Sequence, residues 1–436
     1  MSQLQVCERN QLKSLATAQE SVRKSFLVET TLFLFLSVSL AITCQSAFSQ
    51  KAQATSDYVA DEILASIKPD TDDGDLQQLI KEWHGTVVEQ FSNSNLKFVR
   101  IKIDRRYFNQ SYNKMSKDSH LEKVQFNYVA HQLGSSESVS HFPSTAPNDP
   151  LYPMQYQFAQ MNVVEAWKQG VSGERTYFGN LDQGVPATQT DLTPRVLAGI
   201  NVTTKQPANV LNAGPHSTLC TTCAVATTNN GILGAGVAYK AKIVPVDVSP
   251  FTDANIIKGL MYLESQHVWF ANISLNSAPP RSLANPTTHP ALWAEFKDYY
   301  QKGGLIFNAA GDKAGAFDPS PRTNQLVVIA GTNSSSASSN STYGNPVWFA
   351  APSTDVVKSG PQNQAVTSTG TSFSSPLAMS VALLIHEANP HLSNADILDV
   401  MQKTATQPPG YNQAHFGYGI PNAGAAVTLA RHTKSH

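Results

Sequence analysis

The chain contains little cysteine. Its 436 residues include only Cys7, Cys44, Cys220 and Cys223. Removal of an N-terminal leader would take away the first two, so no disulfide framework is predicted. The Cys-Thr-Thr-Cys pair has no second cysteine pair or histidine cluster nearby, which argues against a zinc site or a redox motif. Two small buried helix residues are the favoured interpretation, and a short-range disulfide in an exported protein is the alternative.

An excess of charge of one sign is also absent. The chain has 31 basic and 32 acidic residues, and charged residues make up 14% of it. A nucleic-acid-binding surface or a charged funnel for substrate needs an excess of one sign, and the composition suggests neither. No nucleic-acid partner is therefore predicted. Serine, threonine, asparagine and glutamine are abundant instead, which is typical of a secreted enzyme.

The apolar run near the N-terminus is too short to suggest a membrane span. It extends from about Thr31 to Thr43, whereas a spanning helix needs about 20 residues. Two basic residues precede the run and small residues, ending at Ser49, follow it, which is the pattern of a signal peptide. We expect residues 1–49 to be removed and the mature protein to be secreted or periplasmic, without a membrane partner.

The rest of the chain divides by composition into two domains and a linker. Residues 50–131 alternate strand-like and helical patterns, such as "LKFVRIKID" and "DLQQLIKEWHG", and predict a small α+β domain. Residues 132–148 are rich in serine and proline and predict an exposed linker. From residue 149 to 436, apolar strands alternate with helices, which predicts an α/β domain with a parallel sheet.

Ser372 is the first candidate functional residue. It lies in "GTSFSSPLA", and apolar residues at helical spacing follow it, so it is expected at a helix N-terminus. Backbone N–H groups there carry partial positive charge, which favours a developing oxyanion. Pro376 is expected in the first turn of this helix. The alternative reading of Ser372 is an ordinary N-cap.

Two other segments offer partners for this serine. A serine hydroxyl is a poor nucleophile without a base, and the base needs an orienting carboxylate. Asp182 ends a probable strand in "YFGNLDQG", and His216 opens a helix in "GPHSTLCTTC". The order Asp, His, Ser is that of one of the convergent triad folds.

Taken together, these motifs resemble those of the subtilases, the subtilisin-like serine peptidases. "DQG", "HST" and "GTSFSSPLA" stand at the family's spacing, and "TTNNGILGAGVAYKAKI" and "HFGYGIPNAGAA" are most similar to its kexin-type branch. The resemblance implies a parallel sheet with helices on both faces. It also implies that Ser372 is the nucleophile, His216 the base and Asp182 its orienting partner. Residues 50–131 would be a propeptide that acts as chaperone and inhibitor.

The kexin-type resemblance also implies a structural calcium site. An all-oxygen, flexible ligand set suits a hard ion such as Ca²⁺. The implied ligands are two carboxylates, one side-chain amide and three backbone carbonyls, from Asp149, Asp191, Asn230, Thr227, Ile232 and Gly234 respectively. The alternative is an Asn-Asn-Gly turn with two surface aspartates.

Several positions depart from the family pattern. Asp312 stands where the family has its oxyanion-hole asparagine, and an ionised aspartate cannot donate a hydrogen bond. The substrate-binding strand comprises Ser274, Leu275, Asn276 and Ser277, and its last two residues replace a usual Gly-Gly pair. These bulkier residues are expected to narrow the first specificity pocket.

Further substitutions flank the catalytic histidine and the specificity pocket. Ser217 replaces a glycine after His216, and Thr221 and Thr222 replace an Ala-Gly pair, so crowding of this helix is expected. Gln183 and Pro279 occupy positions where kexins carry acidic residues, so dibasic specificity is not predicted.

The sequence therefore predicts a secreted, monomeric serine endopeptidase made as a zymogen. It would act on protein or peptide substrates and be inhibited by its own propeptide. The rival hypothesis is a catalytically impaired subtilase that acts as a protein-binding module, which the substitutions Asp312, Ser217 and Thr222 favour. A third hypothesis, an unrelated α/β binding protein, would require three ordered motifs to arise by chance.

Overall fold

The computed structural model describes residues 58–132, 135–137, 147–210, 213–279, 281–317 and 320–434. The predicted signal peptide, with Cys7 and Cys44, lies outside these residues. The strands are β1 (Tyr58–Ile67), β2 (Gly85–Ser92), β3 (Lys97–Ile103), β4 (Leu121–Tyr128), β5 (His131–Gln132), β6 (Ser135–Glu137), β7 (Tyr177–Asp182), β8 (Ile200–Asn201), β9 (Lys242–Asp247), β10 (Phe270–Ile273), β11 (Leu275–Asn276), β12 (Leu305–Ala309), β13 (Gly315–Ala316), β14 (Val327–Thr332), β15 (Thr342–Tyr343), β16 (Val347–Pro352), β17 (Val356–Ser359) and β18 (Ala365–Thr369).

The α-helices of the described residues are α1 (Asp73–Glu82), α2 (Phe108–Met115), α3 (Gln157–Gln160), α4 (Val163–Trp167), α5 (Pro215–Val225), α6 (Asp253–Ser265), α7 (Pro290–Gln301), α8 (Thr371–Ala388), α9 (Asn394–Thr404), α10 (Gln413–Phe416) and α11 (Ala423–His432). Short 3-10 turns stand at Arg105–Tyr107 and Tyr152–Met154.

The N-terminal part is a four-stranded antiparallel sheet in the order β2-β3-β1-β4. Side chains alternate between its two faces. Ile63 and Ala65 pack with α1 and α2, whereas Leu64 and Phe98 join the core that contains α6 and α7. Strand β2 was not predicted because its side chains are mostly exposed and therefore lack an apolar alternation.

A seven-stranded parallel sheet forms the centre of the larger part, in the order β16-β14-β12-β10-β7-β9-β8. Its inner strands are buried throughout, as expected when both faces are covered. Neighbouring residues of β12 face opposite sides of the sheet. Phe307 packs with α5 and α8, whereas Ile306 packs with α6 and α7. The predicted α/β fold class is confirmed.

Two smaller sheets connect the N-terminal part with the larger one. Strand β5 pairs antiparallel with β11, and β6 adds antiparallel to the β17–β18 pair. The interval predicted as an exposed linker, 132–148, thus contains a strand that is hydrogen-bonded to a sheet of the larger part.

Within the described part of the chain, no helix is long and apolar enough to cross a membrane.

Candidate active site

Three side chains from separate elements meet at the carboxyl edge of the parallel sheet. Asp182 is the last residue of β7, His216 is the second residue of α5, and Ser372 is the second residue of α8. Asp182 and Ser372 are fully buried. Because parallel strands end at one edge, functional residues 190 positions apart can be brought together there.

The three side chains form a continuous hydrogen-bonded chain. His216 Nδ1 lies 2.7 Å from Asp182 Oδ2, and His216 Nε2 lies 3.0 Å from Ser372 Oγ. With the proton on Nδ1, the ring donates to Asp182 and Nε2 can accept from the serine hydroxyl. Burial opposes charging of the ring, but the Asp182 carboxylate outweighs it, so the pKa of His216 is raised well above its usual value. The arrangement therefore provides a strengthened base next to a hydroxyl.

Pro376 affects the position of Ser372, although it lies within α8 and not in the first turn as predicted. Proline has no N–H, so the carbonyl four residues earlier, that of Ser372, loses its helical partner. Ser274 Oγ donates to this carbonyl at 2.7 Å, and Ser372 Oγ lies 3.1 Å from the Ser274 carbonyl oxygen. The Ser372 carbonyl, which the proline leaves without a helical partner, therefore joins α8 by a hydrogen bond to Ser274, the residue before β11.

A buried polar network, which the sequence reasoning missed, links the histidine and serine helices. Asn180 Nδ2 donates to Ser217 Oγ at 3.0 Å and to Thr221 Oγ1 at 3.2 Å. Asn272 Nδ2 donates to Asn180 Oδ1 at 2.9 Å, and Ser375 Oγ donates to Asn272 Oδ1 at 2.6 Å. The available signal was an asparagine inside each of two buried strands, "YFGNLD" and "FANI".

The network corrects the expectation that Ser217, Thr221 and Thr222 only crowd α5. The first two accept hydrogen bonds from β7, and Thr222 Oγ1 donates to the Ser359 carbonyl at 2.7 Å. Buried hydroxyl groups are tolerated when they are hydrogen-bonded. These substitutions therefore attach the helix that carries His216 to its neighbours.

Cys220 and Cys223 are free thiols buried on α5. The structure thus confirms the prediction that both cysteines are small buried residues of a helix, and no disulfide joins them. Cys220 Sγ lies 3.9 Å from Nδ1 and 3.8 Å from Nε2 of His216. The thiol thus packs under the imidazole.

Asp312 follows β12 and lies beside the start of α8. Its Oδ1 accepts hydrogen bonds of 2.7 Å from both the backbone N–H and the hydroxyl of Thr371, the residue before Ser372. A pocket of about 650 Å³ opens here, lined by Asp312, Thr371 and small polar residues that include Asn340 and Ser353. A peptide bound in this pocket would meet hydroxyl, amide and carboxyl groups.

The predicted substrate strand lies close to Ser372, but its side chains point into the protein. Leu275 is fully buried and Asn276 nearly so. Asn276 Nδ2 donates to the Ala309 carbonyl at 2.6 Å, and its Oδ1 accepts from the Leu283 N–H at 3.0 Å. Ser277 Oγ donates to the Val129 carbonyl at 3.2 Å. The backbone of Leu275–Asn276 pairs with β5.

Comparison with known proteins identifies the family and the fold of this chain. Residues 173–419 match the model of the subtilase family, peptidase family S8, and residues 45–127 match that of the fervidolysin N-terminal prodomain. The chain belongs to the subtilase family. It therefore contains a subtilisin-like peptidase domain preceded by a prodomain.

The relatives agree with the predicted kexin-type likeness. Furin from Bos taurus is 30% identical over 334 residues, which are 65% of this chain and 41% of furin. The matched part of this subtilase thus spans less than half of furin's length. The thermophilic serine proteinase of Bacillus sp. (strain AK1) is 25% identical over 384 residues, 85% of this chain and 88% of that protein.

Solved structures show the same fold. Fervidolysin from Fervidobacterium pennivorans, a keratinolytic enzyme related to subtilisin, superposes with a TM-score of 0.69 at 18% identity, covering 86% of this chain and 62% of fervidolysin. The epidermin leader peptide processing serine protease of Staphylococcus aureus gives a TM-score of 0.66 at 15% identity, covering 86% and 100% respectively.

The side chains predicted to bind calcium in this subtilase lie together. Asp149 and Asp191 are fully buried, so they are not the surface aspartates of the alternative reading. Asn229 N–H donates to Asp149 Oδ2 at 2.8 Å, and Asn230 Nδ2 is 2.8 Å from Asp191 Oδ1. Burial raises the pKa of both carboxyl groups, and the like charge of Asp149 adds to the rise for Asp191.

The backbone around these two aspartates comes from the predicted segment. Gly234 N–H donates to Asp191 Oδ2 at 3.2 Å, and Thr227 N–H donates to the Asp191 carbonyl at 2.7 Å. Ile232 lies between them in sequence and is exposed. The structure thus brings the segment 227–234 against Asp191.

Proposed function

We propose that this subtilase is a secreted serine endopeptidase, made as a zymogen, that hydrolyses peptide bonds through an acyl-enzyme. The observation that carries the proposal is the hydrogen-bonded chain from Asp182 through His216 to Ser372. Its distances are those at which a base can take the proton of a serine hydroxyl.

The chemistry follows from this geometry. Ser372 Oγ attacks the peptide carbonyl while His216 Nε2 takes its proton, and Asp182 holds the imidazole in the required tautomer and stabilises the imidazolium. His216 then gives the proton to the leaving amine, and water hydrolyses the resulting ester by the same steps in reverse. The N-terminus of α8 places partial positive charge near the developing oxyanion.

The rival proposal, a binding module with impaired catalysis, is favoured by one observation. Asp312 lies next to the nucleophile, where an ionised carboxylate repels an oxyanion. The Asn180 and Asn272 network supports the enzyme, because it holds the helices of His216 and Ser372 in fixed positions.

Labelling of Ser372 by a fluorophosphonate separates the two proposals. The reagent bonds only to a serine that a neighbouring base activates, so we expect labelling of the wild-type protein and its loss in Ser372→Ala. Ser374→Ala, two residues along the same helix, is the matched control and should keep the label. Equal labelling of wild type and Ser372→Ala would contradict the assignment of the nucleophile.

We also propose that the buried carboxylates hold a calcium ion. Asp149 and Asp191 are fully buried, and the Arg195 guanidinium donates to the backbone carbonyl of Asp191, at 3.3 Å. Two buried carboxylates near one another are unfavourable unless a cation compensates them. Asp149, Asp191, the Asn230 amide and the carbonyls of Thr227, Ile232 and Gly234 would hold it. The ion would supply positive charge and cross-link two segments.

Calcium is therefore expected to raise the stability of the protein. An ion that binds only the folded chain stabilises it by RT ln(1 + [L]/Kd), about 2.7 kcal/mol at a hundredfold excess over Kd. The measurement is the melting temperature in chelator and in millimolar calcium, in Ser372→Ala to prevent self-cleavage. Asp191→Asn should lose the shift, whereas Asp399→Asn, at a half-exposed position, should keep it. An equal melting temperature in both solutions would contradict the site.

The domain boundaries belong to the same proposal. A signal peptide at 1–49 would direct export, residues 50–131 would form the propeptide, 132–148 the linker and 149–436 the peptidase, which would work as a monomer. The docking of the N-terminal sheet supports an inhibitor role. Lys258 Nζ on α6 pairs with Glu89 at 2.8 Å, Asn93 Nδ2 donates to Asp298 at 2.7 Å, and β5 occupies the edge of β11.

A further inference from the structure

A second pocket opens at the amino edge of the parallel sheet, opposite to the edge that carries Ser372. Its volume is about 120 Å³. The first residues of β7 and β10, the last turn of α8 and the first turn of α9 bound it. Its aromatic and basic side chains are Arg175, Tyr177, His267, Trp269, Phe270 and His386.

This pocket is separate from the active site. His386 follows Ser372 by 14 residues on α8. Because an α-helix rises about 1.5 Å per residue, roughly 21 Å of helix separates them. Tyr177 likewise begins β7, the strand whose last residue is Asp182. A ligand bound here therefore lies outside the proposed site of peptide hydrolysis.

Aromatic rings form part of the pocket wall. Tyr177 is 40% exposed, and Trp269 is partly buried. The Phe270 ring centre lies 5.4 Å from that of His386. Such rings favour a flat, apolar ligand group that stacks on them, but they also attract a cation over the ring face. The aromatic wall alone therefore does not decide the charge of the ligand.

The basic side chains decide the sign of that charge. Arg175 is exposed at the pocket, and its neighbour Glu174 pairs with Lys240, at 3.1 Å. Lys242 Nζ lies 5.4 Å from the centre of the Tyr177 ring. Among the described residues that line the pocket, none carries a carboxylate. These cations repel a cationic ligand, whereas a guanidinium binds a carboxylate through two parallel hydrogen bonds.

Two histidines add hydrogen-bonding groups to the pocket. His386 is half-buried, and burial lowers the pKa of its imidazole, so the ring is neutral at pH 7. A neutral imidazole still offers one N–H donor. His267 is exposed and also lines the pocket. An anion bound here would therefore meet one guanidinium and two imidazole rings.

The volume limits the size of the ligand. A cavity needs about 10–15 Å³ for each water-sized group, so this pocket accommodates roughly nine non-hydrogen atoms. A benzene ring with one carboxylate has this size.

We propose that this pocket binds a small aromatic carboxylate, with its ring against Tyr177 and Trp269 and its carboxylate on Arg175. The inference goes beyond the proposed peptidase function and does not depend on it. The ligand would join the beginnings of β7 and β10 to α8 and α9. Because it binds the folded chain, it should also raise the melting temperature.

The test is calorimetric titration of the full-length Ser372→Ala protein, which cannot cleave itself, with benzoate, benzamide and acetate. Benzamide keeps the ring without the charge, and acetate keeps the charge without the ring. We expect benzoate to bind about tenfold or more tightly than either, because only benzoate uses both the rings and the guanidinium. Equal affinities for benzoate and benzamide, or no binding of millimolar benzoate, would overturn the inference.

Substitutions in the Ser372→Ala background locate the site. Arg175→Gln should weaken benzoate binding by about tenfold or more, through loss of a charge-assisted hydrogen bond, and leave benzamide unaffected. Lys297→Gln removes an exposed positive charge on α7 outside the pocket and should bind benzoate as the parent does. His386→Phe should also weaken benzoate. If that variant fails to fold, Arg175→Gln at its exposed position decides, and unchanged affinity there contradicts the site.

Benzylammonium tests the opposite charge. It has the same ring as benzoate and carries a cation instead of a carboxylate, so we expect it neither to bind measurably nor to displace benzoate. Tighter binding of benzylammonium than of benzoate would show that the aromatic rings select a cation and would overturn the inference. Fluorophosphonate labelling of the wild type reports on the peptidase separately, so either proposal can fail while the other stands.

Discussion

Replacing Asp312 by asparagine is expected to raise kcat at neutral pH by up to about 10²–10³, the inverse of the loss caused by removing one oxyanion donor. Asp312 Oδ1 accepts from the N–H and the hydroxyl of Thr371, both at 2.7 Å. Asparagine keeps an oxygen in that place and exchanges the other for an NH₂ group. The variant therefore preserves the contacts with α8 while it adds a donor beside the nucleophile.

The pH dependence of kcat for both forms distinguishes the possible states of Asp312. If the carboxylate is ionised, asparagine raises the rate across the neutral range. If the carboxyl is protonated in the working enzyme, wild type loses activity as the pH rises and the asparagine form does not. Asp399→Asn, at a half-exposed position on α9, is the control and should behave as wild type. Superimposable profiles for Asp312→Asn and wild type would show that Asp312 does not face the oxyanion.

Replacing Lys358 by methionine should stabilise the folded protein, most strongly at low pH. Lys358 is fully buried on β17, where Nζ donates to the Val356 carbonyl at 2.6 Å and lies 3.7 Å from the centre of the Phe373 ring. Burial lowers the pKa of Lys358 from 10.5 to about 7. One pKa unit corresponds to about 1.36 kcal/mol, so the buried charge lowers the stability by up to about 5 kcal/mol.

The sign of the pH effect follows from the direction of this shift. The unfolded chain binds the proton more tightly than the folded chain, so the penalty is complete below pH 7 and disappears as the pH rises through 10.5. The gain from Lys358→Met should therefore be largest near pH 6 and small near pH 10. Denaturant unfolding in the Ser372→Ala background measures it, with Lys403→Met on the exposed face of α9 as control. A gain that does not change with pH would contradict a buried charged amine.

The meeting of the three side chains of the proposed triad could be predicted from sequence because each stands in a local motif. Asp182 ends an apolar strand, His216 opens a helix, and Ser372 lies in a turn before an apolar helix. These signals are short-range, and the ordered spacing of the motifs then indicated the fold. The structure places all three side chains at one edge of the parallel sheet, which is where the order of the three motifs along the chain predicts them.

The missed features depend on partners that are distant in sequence. Asn180 and Asn272 are 92 positions apart, and either alone resembles an unfavourable polar residue in a buried strand. Strand β6 has only three residues, and its pairing with β18 joins positions more than 200 apart. A segment with a serine-rich, turn-like composition can still be ordered by an available strand edge, which composition does not reveal.

The propeptide is attached to the peptidase in two ways, by the covalent chain and by the contacts of its sheet with α6 and α7. While the chain is intact, the sheet meets its docking surface at an effective concentration that is independent of how dilute the protein is. Once the chain is cut, the same contacts are those of two molecules, and their occupancy falls with dilution. At high protein concentration the cut propeptide would then stay bound and inhibit the peptidase, and activity would appear only on dilution.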